Sequence, residues 1–334
     1  MPELRKDPVT GRWVIIATDR AKRPGEFIRQ SVPPPSAKVC PYDYGNEHKT
    51  PPEILAYRDS GGRDEPGWRV RVVPHKFPVL GIEGDLNREG EGLYDKMSGV
   101  GAHEVIIETP RHAATLADLP VKATEDLLWA FKDRLLDLER DARLKYVMIF
   151  KNSGARAGAT LEHAHCQLIA LPVVPREVSD EIEGALHYYD FKERCVYCDM
   201  IEQELPDGAR LVTRSSLHVA IAPFAARFPF ETWILPLRHS SRFALSDAEE
   251  MKSAAEVLWS VLRRISVVVG HPPYNFYLHD TPLRMSAMPH YHWHIEVLPA
   301  ITTVAGFERG SAFYINPIPP EDTAAELRKA GGGV

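Results

Sequence analysis

Two stretches decide how this chain is organised: His163-Ala164-His165-Cys166-Gln167-Leu168-Ile169 and His292-Trp293-His294-Ile295-Glu296-Val297-Leu298. Each is a His-x-His opening onto apolar text of strand character. Upstream of each stands an apolar run that ends in Arg-His. One is Val105-Ile106-Ile107-Glu108-Thr109-Pro110-Arg111-His112, and the other, laid over it, is Thr232-Trp233-Ile234-Leu235-Pro236-Leu237-Arg238-His239. The spacing is kept within two residues, 51 from His112 to His163 and 53 from His239 to His292. Between these landmarks lie, in the same order, a helical segment (Leu127-Leu128-Trp129, or Val257-Leu258-Trp259) and a strand (Tyr146 to Phe150, or Tyr274 to Leu278). Four elements recurring in order mark an internal repeat rather than a chance likeness of strand and helix text. The fold expected is therefore α+β and duplicated. Its halves are 1–175 and 176–334, each an antiparallel sheet packed with helices, joined near Pro172 to Tyr189.

The rest of the chain is read outward from that frame. A turn at Asp7-Pro8-Val9-Thr10-Gly11 feeds a strand at Arg12 to Ile16. From Arg20 to Trp68, proline, glycine and charge predominate, which predicts loops around short ordered pieces. Strands are expected at Trp68 to Val73 and Glu104 to Glu108, and a helix over Ala123 to Lys145, where no proline or glycine interrupts the apolar spacing. With 334 residues, 44% apolar and 26% charged, the composition is that of a globular chain. The net charge of −6 offers no field to attract a polyanion, so nucleic acid is not an expected partner. No apolar run approaches the roughly 18 residues of a membrane span, and Met1 to Asp7 is too polar for a secretory signal. No membrane partner is expected, and the cytoplasm is the expected compartment.

Histidine is frequent, at fourteen copies, and cysteine scarce, at four. Cys195-Val196-Tyr197-Cys198 precedes the histidines of the second half. Two thiolates three positions apart with two imidazoles from separate elements make the tetrahedral set that structural Zn2+ prefers: Cys195, Cys198, His239 and His292. A Cys-x-x-Cys alone could equally be redox-active or simply buried. In the first half the matching set is Cys40, Asp43, His112 and His163, with a carboxylate where the second thiolate would stand, which makes it a harder site.

The stretch Asn152-Ser153-Gly154-Ala155-Arg156-Ala157-Gly158-Ala159-Thr160-Leu161-Glu162-His163 places small residues before the first His-x-His. Small residues let backbone amides approach an anion, and Thr160 and Gln167 add neutral hydrogen-bonding groups, so a phosphate cradle beside imidazoles is expected. On a strand, His163, His165 and Gln167 would alternate onto one face. One histidine can take metal while the next, its tautomer held by a backbone acceptor, offers a free nitrogen as nucleophile. The second half lacks this glycine-rich text before His292, so His294 is not expected to form an adduct.

At these residues the chain resembles the histidine-triad superfamily and, within it, the galactose-1-phosphate uridylyltransferase family. The likeness runs from Arg5-Lys6-Asp7-Pro8 to Tyr314-Ile315-Asn316-Pro317 and rests on Asn-x-Gly-x-x-Ala-Gly-Ala-Thr-Leu-x-His-x-His-x-Gln. It implies a double displacement in which His165 attacks the α-phosphorus of UDP-glucose and galactose 1-phosphate then takes the uridylyl group, with Gln167 holding a non-bridging oxygen. It also implies that Asn152, Gly158 and Thr160 serve the phosphate and ribose. Arg20 and Arg23 would approach the nucleotide from the partner of a homodimer, and Phe307 to Asn316 would contact the hexose. The partners implied are a nucleotide sugar and a hexose 1-phosphate. Two departures stand out: Asp43 in place of a cysteine, and Val73-Pro74-His75-Lys76-Phe77 where uridylyltransferases carry Asn-Asp near the nucleoside. A plant branch of similar text acts as an ADP-glucose phosphorylase, moving an adenylyl group to phosphate with the same histidine, and is the alternative reading. A nucleotide hydrolase and a silent zinc-stabilised nucleotide binder are the remaining ones.

Overall fold

The computed structural model describes residues 2–22, 39–112 and 114–331. Fifteen strands and six α-helices lie along them. The strands are β1 (Glu3–Lys6), β2 (Trp13–Ile16), β3 (Leu55–Arg58), β4 (Trp68–Pro74), β5 (Glu89–Glu91), β6 (Tyr94–Lys96), β7 (Ala102–Ile107), β8 (Tyr146–Ser153), β9 (His165–Leu171), β10 (Leu211–Arg214), β11 (His218–Ile221), β12 (Thr232–Pro236), β13 (Tyr274–His279), β14 (His294–Pro299) and β15 (Tyr314–Asn316). The helices are α1 (Val121–Leu138), α2 (Arg176–Lys192), α3 (Val196–Asp207), α4 (Ala248–Val269), α5 (Gly306–Ser311) and α6 (Pro320–Lys329).

Ten strands form one antiparallel sheet in the order β10-β11-β12-β14-β13-β8-β9-β7-β4-β3. The order is its own mirror: β3, β4, β7, β9 and β8 of the first half face β10, β11, β12, β14 and β13 of the second. The repeat is thus visible as topology, and both halves belong to a single sheet stitched by β8 against β13, where Asn152 lies opposite Asn275. The pairing also corrects the sequence alignment by one residue. Gln167 lies opposite Val105, and its counterpart Glu296 lies opposite Trp233 rather than Thr232. The segment from this strand to the Arg-His is one residue shorter in the second half. A separate sheet joins β1, β2 and β15, so the N-terminal strands pair with the C-terminal end of the chain.

One face of the large sheet is covered by α1 and α4, whose apolar stripes meet over Val147, Ile149, Cys166 and Leu168. The stripe of α4 comprises Met251, Ala254, Ala255, Leu258, Val261, Leu262 and Ile265. Its start is set by a reciprocal cap, in which Asp247 accepts from the Glu250 amide at 2.9 Å and Glu250 accepts from the Asp247 amide at 3.0 Å. Helix α1 ends at Leu138, short of the expected Lys145. The Asp141 carboxylate accepts from the Arg143 amide at 2.9 Å and turns the chain out of the helix. On the opposite face the halves differ. Helices α2 and α3 cover the second half through Ala185, Val196, Tyr197 and Ile201 against Val219, Ile221, Trp233 and Leu235. In the first half, among the described residues, the hydrophobic side chains packed against Trp68, Val73, Val105 and Ile107 are Tyr42 and Ala56. No helix among the described residues is long and apolar enough to cross a membrane.

Candidate active site and metal clusters

Strand β9 begins at His165, so His163 stands just before the strand and not on it as expected. Its ring is turned aside by two bonds: Nε2 donates to the Thr109 carbonyl at 2.7 Å, and Nδ1 lies 3.2 Å from an Asp43 carboxylate oxygen. His165 and Gln167 do share the open face of the sheet. Nδ1–H of His165 donates to the His163 carbonyl at 2.7 Å, which fixes the tautomer and leaves the lone pair on Nε2. Burial and the neighbouring Lys151 charge hold this imidazole below its ordinary pKa, so it stays neutral where a free histidine begins to protonate. The Tyr42 ring flanks it with centroids 5.4 Å apart. Beneath β9, the buried Lys151 ammonium pairs with the Glu108 carboxylate, and the Cys166 thiol donates to the same carboxylate at 3.0 Å. Burial pushes the Cys166 thiol well up, so this cysteine stays protonated.

The glycine-rich stretch is a tight turn. Gly158 has φ +92°, a conformation that favours glycine, and a Cβ there would stand 3.5 Å from Asn152 Nδ2. The amides of Ala157, Gly158 and Ala159 do not face outward as a cradle would need, because they donate to the carbonyls of Gly154 and Ala155 within the turn. Asn275, which the sequence reading missed, donates to Asn152 Oδ1 at 2.7 Å and to the Ala157 carbonyl at 2.8 Å. A second-half residue thus orients Asn152 and pins the first-half turn. Its only sequence signal is its place in the strand that abuts β8. Thr160 is exposed at the end of the turn. Arg20 sits on the single turn Thr18–Lys22 after β2, outside the sheet that carries His165, and Arg23 lies outside the described residues. A cavity of about 920 Å³ opens over β8 and β13, lined by Asn152, Arg156, Asn275, Tyr277, Arg309 and Tyr314. It lies across β8 from His165. Arg309 and Tyr314 bring the Phe307 to Asn316 segment to its rim.

Both expected metal sets converge. Ligand atoms of Cys195, Cys198, His239 and His292 lie within 4.8 Å of one another, as do those of Cys40, Asp43, His112 and His163. The two sets are built alike. His292 Nε2 donates to the Pro236 carbonyl at 2.9 Å as His163 Nε2 does to Thr109, and His239 Nε2 donates to the Met288 carbonyl at 3.1 Å. Each of these bonds aims Nδ1 at the cluster, the arrangement that outer-shell acceptors impose on metal-binding histidines. Hydrogen bonds from Cys198, His239 and His292 stabilise the Cys195 thiolate, so one proton of the cysteine pair leaves easily. In the first set the Asp43 carboxylate, one-third exposed, meets His112 Nδ1 at 2.6 Å.

A third cluster, Glu181, His279, His294 and Glu296, was not foreseen. His279 Nδ1 donates to Glu181 at 2.7 Å, while the buried Glu296 and Glu231 pair with the partly buried Arg227 guanidinium. His294 sits at the ladder position equivalent to His165, wholly enclosed, its ring 5.3 Å from Trp233 and 5.2 Å from Tyr197.

Comparison with known proteins matches residues 1–175 to the N-terminal domain of galactose-1-phosphate uridyl transferase, and residues 100–330 to a domain family of unknown function. The chain is 37% identical to an ADP-glucose phosphorylase of Arabidopsis thaliana over 98% of its own length and 93% of the relative's. It is 30% identical to a galactose-1-phosphate uridylyltransferase of Thermotoga maritima over 98% of both. Among solved structures it is similar to an Arabidopsis thaliana ADP-glucose phosphorylase with bound ADP-glucose, at a TM-score of 0.84, 35% identity, and 98% and 99% coverage of the two chains. A uridylyltransferase structure matches at 0.77 with 29% identity, over 99% of this chain and 98% of that one.

Proposed function

The chain belongs to the galactose-1-phosphate uridyl transferase family, and from that premise we propose that it moves a nucleotidyl group from a nucleotide sugar to a phosphate-bearing acceptor through His165. The observation that carries the proposal is the His165 ring itself. Its Nδ1–H is held by the His163 carbonyl at 2.7 Å, and its Nε2 lone pair is free for attack on the face shared with Gln167. Nε2 attacks the α-phosphorus, the hexose 1-phosphate leaves, and a nucleotidyl-His165 phosphoramidate forms. An acceptor phosphate oxygen then attacks the same phosphorus and frees the imidazole. A neutral imidazole needs no added base for the first step, so positioning and charge stabilisation by Gln167, Asn152 and Arg156 supply the remaining acceleration.

For the substrates, the reading preferred is ADP-glucose and inorganic phosphate, giving glucose 1-phosphate and ADP. The 37% relative and the structure with bound ADP-glucose favour this alternative over uridylyl transfer to galactose 1-phosphate. Uridylyl transfer is kept as the second reading because of the Thermotoga maritima relative. Cys195, Cys198, His239 and His292 would hold Zn2+ as a closed structural tie, and Cys40, Asp43, His112 and His163 a second ion. A homodimer, with Arg20 and Arg23 supplied across it, belongs to the same proposal. The test is a panel of ADP- and UDP-glucose, each with phosphate, galactose 1-phosphate or no acceptor. Phosphorolysis of ADP-glucose is expected, exchange with UDP-glucose would favour the second reading, and hydrolysis without acceptor would reassign the enzyme as a hydrolase.

A further inference from the structure

Gln167 can help a phosphoryl oxygen only if its amide NH2, and not its carbonyl, faces the phosphorus, and the two ends of a glutamine amide are nearly the same shape. Something must choose between them. The choice is made by His103 on β7. Its Nδ1 accepts from the Val79 amide at 3.2 Å, which places the ring proton on Nε2, and that N–H donates to Gln167 Oε1 at 2.9 Å. With Oε1 engaged, the Gln167 NH2 is turned away from His103. The ring that makes the choice is itself held. His103 is buried, and His75 stacks on it with centroids 4.1 Å apart and planes 7° from parallel. His75 is fixed in turn, its Nδ1 accepting from the Phe77 amide at 3.0 Å and its backbone amide donating to the His103 carbonyl at 2.8 Å.

We infer that His103 is a positioning residue, braced by His75, that sets the amide orientation of Gln167 so that its NH2 donates to a non-bridging oxygen as nucleotidyl transfer proceeds. This rests on the reading of His165 and Gln167 above. It also explains the residues at His75 and His103. The second half carries Glu296 in place of Gln167 and has nothing to orient, because a carboxylate has no donor end.

The test is a double-mutant cycle on the single-turnover rate of adduct formation with ADP-glucose. Gln167→Ala should slow it about 100-fold, the scale for losing one donor to a developing oxyanion. His103→Ala should slow it about 10-fold, as loss of an outer-shell orienting group does, with ADP-glucose affinity little changed. The variant carrying both should be no slower than Gln167→Ala alone, because a disoriented amide and a missing one fail together. His103→Gln, which can donate from its own amide, should recover most of the rate. Multiplicative effects, or a His103→Ala rate equal to wild type, would overturn the positioning role. A Gln167→Ala rate equal to wild type would instead overturn the role of Gln167. Independently of activity, the Gln167 side-chain amide, followed by NMR in glutamine-labelled protein, should give one sharp pair of resonances that broadens in His103→Ala. An unaltered pair would also refute the inference.

Discussion

His165 and His294 hold equivalent places in the two halves of one sheet. Each donates Nδ1–H to the carbonyl two residues before it, at 2.7 Å and 3.1 Å. What differs is the cover. Over His165 stands Tyr42, with Gln167 beside it, and among the described residues the apolar cover of this face in the first half is Tyr42 and Ala56. Over His294 lie α2 and α3, so the ring is enclosed by Trp233 and Tyr197 and neighboured by Glu296, whose charge is matched by Arg227. A nucleophile therefore needs more than the duplicated frame. It needs an open face and a neutral donor beside it, and a filled pocket leaves no room for phosphate. On the function proposed above, the same frame serves stability in one half and chemistry in the other.

The largest expected effect separates the two histidines. His165→Ala should lower turnover by at least about 10⁴-fold, since the two-step path disappears. His294→Ala should leave adduct formation within roughly tenfold of wild type while lowering the melting temperature, because it empties a packed and charged interior. Equal losses of turnover in two folded variants would erase the contrast. Next come the metal sets. Cys198→Ser should lower bound zinc and reduce the melting temperature by at least about 5 °C, whereas Asp43→Cys should tighten the first site and raise metal content. A metal-free wild type with unchanged melting would contradict both. Gln167→Ala should cost transfer about 2–4 kcal/mol without abolishing the adduct. The smallest effect is on pH. Because burial and the Lys151 charge lower the His165 pKa, the acid limb of kcat/KM should have its midpoint below about 6.5, the ordinary histidine value. A midpoint above that value would mean that the imidazole gains its proton too easily for the environment described.

Much of this was legible in the sequence because it depends on order and spacing. The repeat, both metal sets and His165 with Gln167 are all patterns of residue type at fixed intervals, and the structure brings each group together. What was not legible depends on long-range contact or on loop geometry. Asn275 reaches Asn152 only because β13 abuts β8. Glu181 joins His279 only because α2 crosses the open face. The turn at Gly154 to Ala159 reads as an array of free amides, yet its own carbonyls take three of them. His163 reads as a strand residue, but its bonds to Thr109 and Asp43 keep it off the strand. The contrast between the halves was expected from glycine content, whereas the difference that the structure shows is the cover of helices.

The most direct test of that contrast is to mix the protein with ADP-glucose in the absence of phosphate, quench, and map the covalent product by peptide mass. One adenylyl group per chain, on the peptide carrying His165 and absent from that carrying His294, with one equivalent of glucose 1-phosphate released in a burst, is the expected result. A burst-free reaction with no adduct, or a label on His294, would contradict the account.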